Sequence, residues 1–228
     1  SRIDDFIFVD VIVNNSPAVF ILDTGADAFV VTTELATRLG LVEIGKTQVV
    51  TIAGTSDAPL YRIDDFQFGS VTGRRIDAAA LDLSGFDGIV GVPFFREVLV
   101  GIDYGTGVLE LADPDFLSID QAALESGATV LSAERFELDG VFIEGLDVGR
   151  VRIDTGSSGG LRVSQVRAAP VLSEKDETLR VVSTASNGRV PGTAFIVDDL
   201  TFGTFSLPEQ FVVAQDGELE VGLMGSLV

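Results

Sequence analysis

FILDTGADAFVV, residues 20–31, places one carboxylate, that of Asp23, between an apolar run and a turn of small residues. The Phe, Ile and Leu that precede Asp23 are typical of a buried β-strand. Asp and Gly are also ordinary turn residues, so a single Asp-Thr-Gly is weak evidence of chemistry. Read alone, the stretch leaves open whether Asp23 is a catalytic acid or only the first residue of a turn.

The chain contains a second copy of this stretch. VRIDTGSSGGLRV, residues 151–163, again leads from an apolar strand through Asp-Thr-Gly and small residues into another apolar strand. Each copy is followed by two apolar runs around a polar tip and then by an apolar-apolar-Gly triplet, at 89–91 and 223–225. Agreement at so many points predicts two similar halves, and it favours a paired role for Asp23 and Asp154.

Local signals predict short elements between these landmarks. Asn187-Gly188 is a strong hairpin-turn signal and Gly54 with nearby polar residues a weaker one, which puts hairpin tips near 53–57 and 185–188. Thr32 or Thr33 can cap a helix over TELATRL that ends before Gly40, and Pro93 opens a second short helix. The predicted domains are residues 1–112, a linker over 113–130 with one or two helical turns, and residues 131–228.

The composition limits the chemistry and the partners. Apolar residues make up 46% of the 228 residues, Gly occurs 25 times and no heptad pattern appears, which predicts a globular, mostly β protein. A formal charge of −20 argues against nucleic-acid partners, and no apolar run is long enough for a membrane span. Because His and Cys are both absent, Ser-His-Asp and Cys-His mechanisms and the usual zinc sites are excluded.

Two carboxylates held close together can perform acid-base chemistry without His, Cys or a metal. Such a pair keeps one proton over a wide pH range, because both members cannot ionise readily. The ionised member takes a proton from a water molecule while the protonated member polarises a carbonyl, which together hydrolyse an amide. This chemistry fits what the composition leaves available.

Both Asp-Thr-Gly stretches, each with its apolar-apolar-Gly triplet, resemble the active-site motif of aspartic proteases, the retropepsin-like and pepsin-like superfamily. The resemblance covers nearly the whole chain twice. It implies a mostly β, acid-protease β-barrel fold with two pseudo-twofold-related lobes and an active-site cleft between them. It also implies an aspartic endopeptidase in which Asp23 and Asp154 are catalytic and hairpin flaps cover the peptide. The positions that the resemblance assigns to support of the dyad are Thr24, Gly25, Ala26, Thr155, Gly156 and Ser157. Those that it assigns to the flaps and to substrate binding are Ile52, Ala53, Gly54, Thr55, Thr184, Ala185, Ser186, Asn187 and Gly188.

The compact halves with two comparable hairpins look more like two retroviral-type lobes in tandem, as in a bacterial retropepsin-like protein, than like a pepsin. The resemblance implies a peptide or protein substrate, no cofactor and no metal. We expect a monomer because both half-sites lie on one chain, with a homodimer as the alternative. The sequence lacks an initiator Met, and with the compartment unknown a periplasmic or secreted location is favoured.

The halves differ in two respects that bear on function. Ser157 follows the second Asp-Thr-Gly where Ala26 follows the first, and a hydroxyl donated to Asp154 would favour its ionised form. We therefore hypothesise that Asp154 carries more of the charge and Asp23 more of the proton. The second half also has only three residues after Gly225. The alternative function, a pseudoprotease that binds peptides without turnover, takes its support from this shorter end.

Overall fold

A computed structural model of the chain describes residues 6–103, 107–112, 136–186, 188–217 and 219–225. Strands dominate, and the mostly β fold expected from the sequence is confirmed. The predicted linker, residues 113–130, lies outside the described residues. Within the described ranges the helices are α1 (Thr33–Leu39), α2 (Val92–Phe95) and α3 (Gln165–Leu172).

The first half of the chain forms a closed barrel. Its sheet has the strand order β1-β2-β7-β3-β6-β5-β4, and additional pairing of β1 with β5 joins six of these strands in a ring. A separate two-stranded sheet, β8-β9, follows. The strands are β1 (Phe8–Val13), β2 (Ser16–Leu22), β3 (Phe29–Thr32), β4 (Val42–Thr51), β5 (Gly54–Phe68), β6 (Val71–Leu81), β7 (Gly88–Val90), β8 (Leu99–Asp103) and β9 (Val108–Ala112).

The second half repeats this topology. The order β10-β11-β18-β12-β17-β14-β13 matches the first half strand for strand, and β15 and β16 extend the sheet beyond β10. The internal repeat in the sequence is therefore a repeat of strand connections as well. The strands are β10 (Glu137–Ile143), β11 (Leu146–Ile153), β12 (Leu161–Ser164), β13 (Leu179–Ala185), β14 (Gly188–Val197), β15 (Leu200–Phe202), β16 (Phe205–Leu207), β17 (Gln210–Gln215) and β18 (Gly222–Met224).

Alternating side chains explain why the opening strands of each half form a hairpin. Along β1, Val9, Val11 and Val13 are buried while the residues between them are exposed, which is the period of a half-buried strand. The turn into β2 is Asn14-Asn15, and both residues have positive φ angles of 47° and 64°. Asn tolerates this conformation, and two such residues match the twist of a tight hairpin.

Each half has its own hydrophobic core. In the first, Phe29 and Phe66 meet edge to face with ring centroids 5.3 Å apart, and Leu35 of α1 is fully buried beside them. In the second, the core centres on Ile143 and Leu161. The described residues divide into two compact units, one holding 7–48 and 57–112, the other holding 49–56 and the residues from 136 onward.

The helix after β3 agrees with the sequence, whereas its counterpart in the second half was not predicted. Thr32 caps α1 by accepting a hydrogen bond from Leu35 N at 3.0 Å, and Gly40 ends it in a left-handed conformation. In α3 the equivalent cap is Ser164, which accepts from Arg167 N. Pro170 lies inside α3 and contributes no backbone N–H donor.

Candidate active site

The first half-site is a tight turn at the end of β2. Asp23 N donates a hydrogen bond to Val90 O at 3.0 Å, which fixes the aspartate to the neighbouring strand β7. Gly25 N donates to Asp23 Oδ1 at 2.7 Å, and Ala26 N donates to Asp23 O at 3.4 Å. The carboxylate is therefore oriented by the backbone of its own turn, since an N–H group that points at a carboxylate oxygen restricts its rotation.

The second half-site repeats these contacts at the end of β11. Asp154 N donates to Met224 O of β18 at 2.9 Å, and Gly156 N donates to Asp154 Oδ1 at 2.9 Å. Ser157 N donates to Asp154 O at 3.1 Å, as Ala26 does in the first half. Two carboxylates thus have the same backbone environment, which is the local requirement for a pair of equivalent catalytic acids.

The glycine of each apolar-apolar-Gly triplet lies where no side chain fits. A Cβ on Gly91 would lie 2.2 Å from Ala28 O, and one on Gly225 would lie 2.3 Å from Ser157 O. Both distances are far shorter than any real carbon–oxygen contact. The triplet therefore ends in Gly because its backbone packs directly against the turn that carries the aspartate.

The other predicted support residues lie in the same two turns. Thr24 is buried, with 5% of its surface exposed, and Asp154 is 8% exposed. Asp23, Gly25 and Ala26 are half-buried, as are Thr155, Gly156 and Ser157. Both turns are thus partly shielded from water. Their aspartates make the backbone hydrogen bonds described above.

The predicted flap residues lie on two hairpins. In the first half the turn consists of Ile52 and Ala53, so the tip lies nearer the start of the predicted range 53–57, and Gly54 and Thr55 already belong to β5. Ala53 N donates to Thr51 Oγ1 at 3.0 Å, which closes that turn.

In the second half Ala185 pairs with Gly188, and Thr184 precedes this pair on β13. Ser186 begins the turn, and Asn187 lies outside the described residues. A Cβ on Gly188 would lie 3.0 Å from the Ala53 Cβ. Ala53 and Gly188, which belong to the same compact unit, therefore lie next to each other.

Arg162 is a charged residue of the second half-site that the sequence analysis did not identify. It lies on β12, and its Nη2 donates to Ser158 O at 2.8 Å while its Nε donates to Ser157 Oγ at 3.3 Å. Burial lowers the pKa of the Arg162 guanidinium, and the negative charge of Asp154 opposes that shift. The available signal was the single Arg in the apolar run LRV, where the first half has Val30.

The described residues contain no group of three or more Asp and Glu side chains placed to hold a metal ion. Among the helices of the described part, none is long and apolar enough to cross a membrane.

Comparison with known proteins identifies the family. A family model described as aspartyl protease matches residues 9–94 and again residues 140–228. Among solved structures, the crystal structure of a retropepsin-like aspartic protease from Rickettsia conorii aligns at 20% identity and a TM-score of 0.38, covering 46% of this chain and 81% of that one. The curated proteins include no match. Because the two matches of the family model cover more than half of the chain, it belongs to the aspartyl protease family.

Proposed function

We propose that the protein is an aspartic endopeptidase in which Asp23 and Asp154 act as one catalytic dyad. The observation that carries this proposal is the repeated geometry of the two half-sites. Each aspartate directly follows a strand, accepts a hydrogen bond from the glycine two residues on, and donates its backbone N–H to the strand that precedes Gly91 or Gly225. Membership of the aspartyl protease family supports the same assignment.

In the proposed reaction the two carboxylates share one proton. The ionised member takes a proton from a water molecule, whose oxygen attacks the carbonyl carbon of the peptide bond. The protonated member gives its proton to the carbonyl oxygen, which produces a neutral tetrahedral diol. The diol then collapses as the C–N bond breaks. The protonated carboxyl gives its proton to the leaving nitrogen while the ionised carboxylate takes a proton from a diol hydroxyl, which leaves the dyad with one proton again.

The charge around Asp154 favours its role as the ionised member. Arg162 interacts electrostatically with Asp154, and a nearby cation stabilises a carboxylate. The sequence hypothesis gave this role to the Ser157 hydroxyl, whose oxygen accepts a hydrogen bond from Arg162 Nε in the structure and whose hydrogen remains able to donate. The proposed asymmetry therefore keeps its direction and gains a second physical cause, namely the guanidinium.

Exposed apolar side chains on the hairpins support a peptide as the substrate. Val50 precedes the first tip and is 74% exposed, and Val182 on β13 is 61% exposed. Isolated apolar residues on a surface are common, but these two lie beside the predicted flap positions, where a substrate chain would cover them. We propose that the flap positions from Ile52 to Thr55 and from Thr184 to Gly188 contact that chain.

The proposal is tested with a denatured-protein or peptide library at acidic and neutral pH, with product sequencing. We expect cleavage by the wild-type protein and none by Asp23→Asn or Asp154→Asn. Asp10→Asn is the matched control, because Asp10 is an exposed carboxylate on β1 outside both turns. If wild type and both active-site variants bound the library equally and none cleaved it, the protein would be a peptide-binding module.

A further inference from the structure

Arg162 connects the turn that carries Asp154 to the hairpin of the same half. Its Nη1 donates to Ser183 Oγ on β13, while its Nε and Nη2 donate to Ser157 and Ser158 of the turn. Ser183 is buried, with 6% of its surface exposed. The guanidinium is therefore held between the catalytic turn and a flap strand, the two elements between which the proposed function places the substrate.

The charge of Arg162 interacts with that of Asp154 but, unlike the charges of neighbouring cations, is not held in a salt bridge. In this half of the chain Arg150 and Arg152 form salt bridges with Glu137, and Lys175 forms one with Glu144. Among the described residues, no carboxylate forms a salt bridge with Arg162, whose hydrogen-bond acceptors are two hydroxyls and one carbonyl. A half-buried cation without a direct salt bridge retains part of its desolvation cost, and such groups concentrate at functional sites.

The geometry of the guanidinium leaves it able to bind an anion. A guanidinium has five N–H donors, and Arg162 uses three of them in the contacts described above. The remaining donors lie on a planar group that is already held in place, so little side-chain entropy is lost when a carboxylate binds.

The first half has an apolar residue in the equivalent place. Val30 pairs with Ile89 of β7, and Arg162 pairs with Leu223 of β18, so the two residues hold the same position in the repeated topology. Val30 is buried, with 6% of its surface exposed. The two halves of the candidate site therefore differ in charge at matching positions.

We propose that Arg162 determines specificity by binding an Asp or Glu side chain of the substrate on the side of the scissile bond that the second half holds. This inference rests on the proposed function and adds a substrate class to it. The chain as a whole carries a charge of −20 and repels acidic peptides at long range, so the preference arises only from close contact.

The experiment measures peptide binding on the Asp23→Asn background, so that it does not depend on turnover. A peptide array in which one position at a time is Glu or Gln is used as the probe, and wild-type cleavage of the same pairs is followed in parallel. A hydrogen bond to a charged group contributes enough for a Glu preference of about tenfold or more at one position. Raised salt should reduce this preference.

Two substitutions separate charge recognition from structural support. Arg162→Met should abolish the Glu preference, and Arg162→Lys should retain part of it because the charge remains without the planar fork. Arg150→Met is the matched control, since Arg150 is an exposed arginine of the same half, and it should leave the preference intact. Thermal unfolding of each variant establishes that it is folded before binding is compared.

The outcomes distinguish this inference from the proposed function. Equal affinity of the Asp23→Asn protein for Glu and Gln peptides, or an unchanged Glu preference after Arg162→Met, would overturn the role of Arg162. Either result would do so even if the wild-type protein cleaves peptides. A Glu preference that depends on Arg162 in a protein that cleaves nothing would retain the binding role and reject the protease. If Arg162→Met fails to fold, the Arg162→Lys comparison decides alone. An Arg162→Lys protein that keeps the whole tenfold Glu preference, and binds the Glu peptide as tightly as the Asp23→Asn protein does, would count against recognition by the planar guanidinium.

Discussion

At the scale of single residues, Gly91 and Gly225 pack directly against the two turns that carry the aspartates. A Cβ at either position would overlap a backbone oxygen, at 2.2 Å for Gly91 and at 2.3 Å for Gly225, and a backbone oxygen cannot rotate away as a side chain can. Overpacking of this kind destabilises proteins by about 1–3 kcal/mol. The residue before each glycine accepts the hydrogen bond from the backbone N–H of the aspartate, so a displacement of the glycine would also displace the candidate catalytic group.

We therefore predict that Gly91→Ala and Gly225→Ala each lower the free energy of unfolding by about 1–3 kcal/mol, measured by urea denaturation. The matched control is Gly101→Ala on β8, where a Cβ would meet Glu110 Cβ at an ordinary 3.5 Å. That change should be neutral or slightly stabilising, because Gly in a strand is entropically costly. Equal stability of all three variants would show that the triplet does not pack against the turns.

The sequence located the aspartates but not the arginine, for reasons that differ between the residues. Asp23 and Asp154 follow apolar strands and repeat, so their position depends mainly on local signals. Arg162 occupies a strand position that alternation alone would assign to either face. Its importance comes from its hydrogen bonds to Ser157 and to Ser183, and Ser183 reaches the guanidinium only through the fold.

At the scale of elements, the helices that follow β3 and β12 begin with the same cap. Thr32 Oγ1 accepts from Leu35 N, and Ser164 Oγ accepts from Arg167 N. Such a cap satisfies one of the backbone N–H groups that a helix leaves unpaired at its start. Because each helix follows the strand that leaves an aspartate turn, its anchoring supports the site indirectly.

We predict that Thr32→Ala and Ser164→Ala each cost about 1 kcal/mol of stability, as cap removal generally does. The expected loss is smaller for Ser164, whose hydrogen bond is 3.4 Å long against 3.0 Å for Thr32. Thr32→Ser should restore most of the stability because the hydroxyl remains. Thermal denaturation of the four proteins checks this, and a larger loss at Ser164 than at Thr32 would contradict the ranking.

The elements also show where sequence signals fail. The α1 helix was predictable because its cap, its apolar residues and its terminal Gly40 agree. Pro170 weakens the sequence signal for the α3 helix, although the position of this helix after β12 could have been found by comparing the two halves. The first flap turn falls on Ile52-Ala53 rather than on the polar residues after it, since Gly54 already continues into β5.

At the scale of the whole molecule, stability should depend on pH through two glutamates of the second half. Burial raises the pKa of Glu137, but hydrogen bonds and charge from Arg152 and Arg150 outweigh burial and lower it below its ordinary 4.5. Burial likewise raises the pKa of Glu144, and Lys175 together with Asp198 N lowers it on balance. A carboxylate with a lowered pKa stabilises the folded state above its unfolded pKa, and this contribution is lost as the pH falls through the folded pKa.

We predict that the stability of the second half decreases as the pH falls below about 4.5. The double variant Glu137→Gln and Glu144→Gln should be less stable than wild type at pH 7, and its loss between pH 5 and pH 3 should be smaller. Asp10→Asn serves as the exposed control and should follow the wild-type profile. Calorimetric melting across this pH range measures the difference, and parallel profiles for wild type and the double variant would refute it.

The central claim is that carboxylates from the two halves act as a unit, and a double-mutant cycle on kcat/KM for one cleaved peptide tests it most directly. We expect Asp23→Asn and Asp154→Asn each to reduce kcat/KM by at least about a thousandfold. The combined variant should be no worse than either single one, because removing one member already disables the pair. Multiplicative losses, or substantial turnover in either single variant, would contradict a shared dyad.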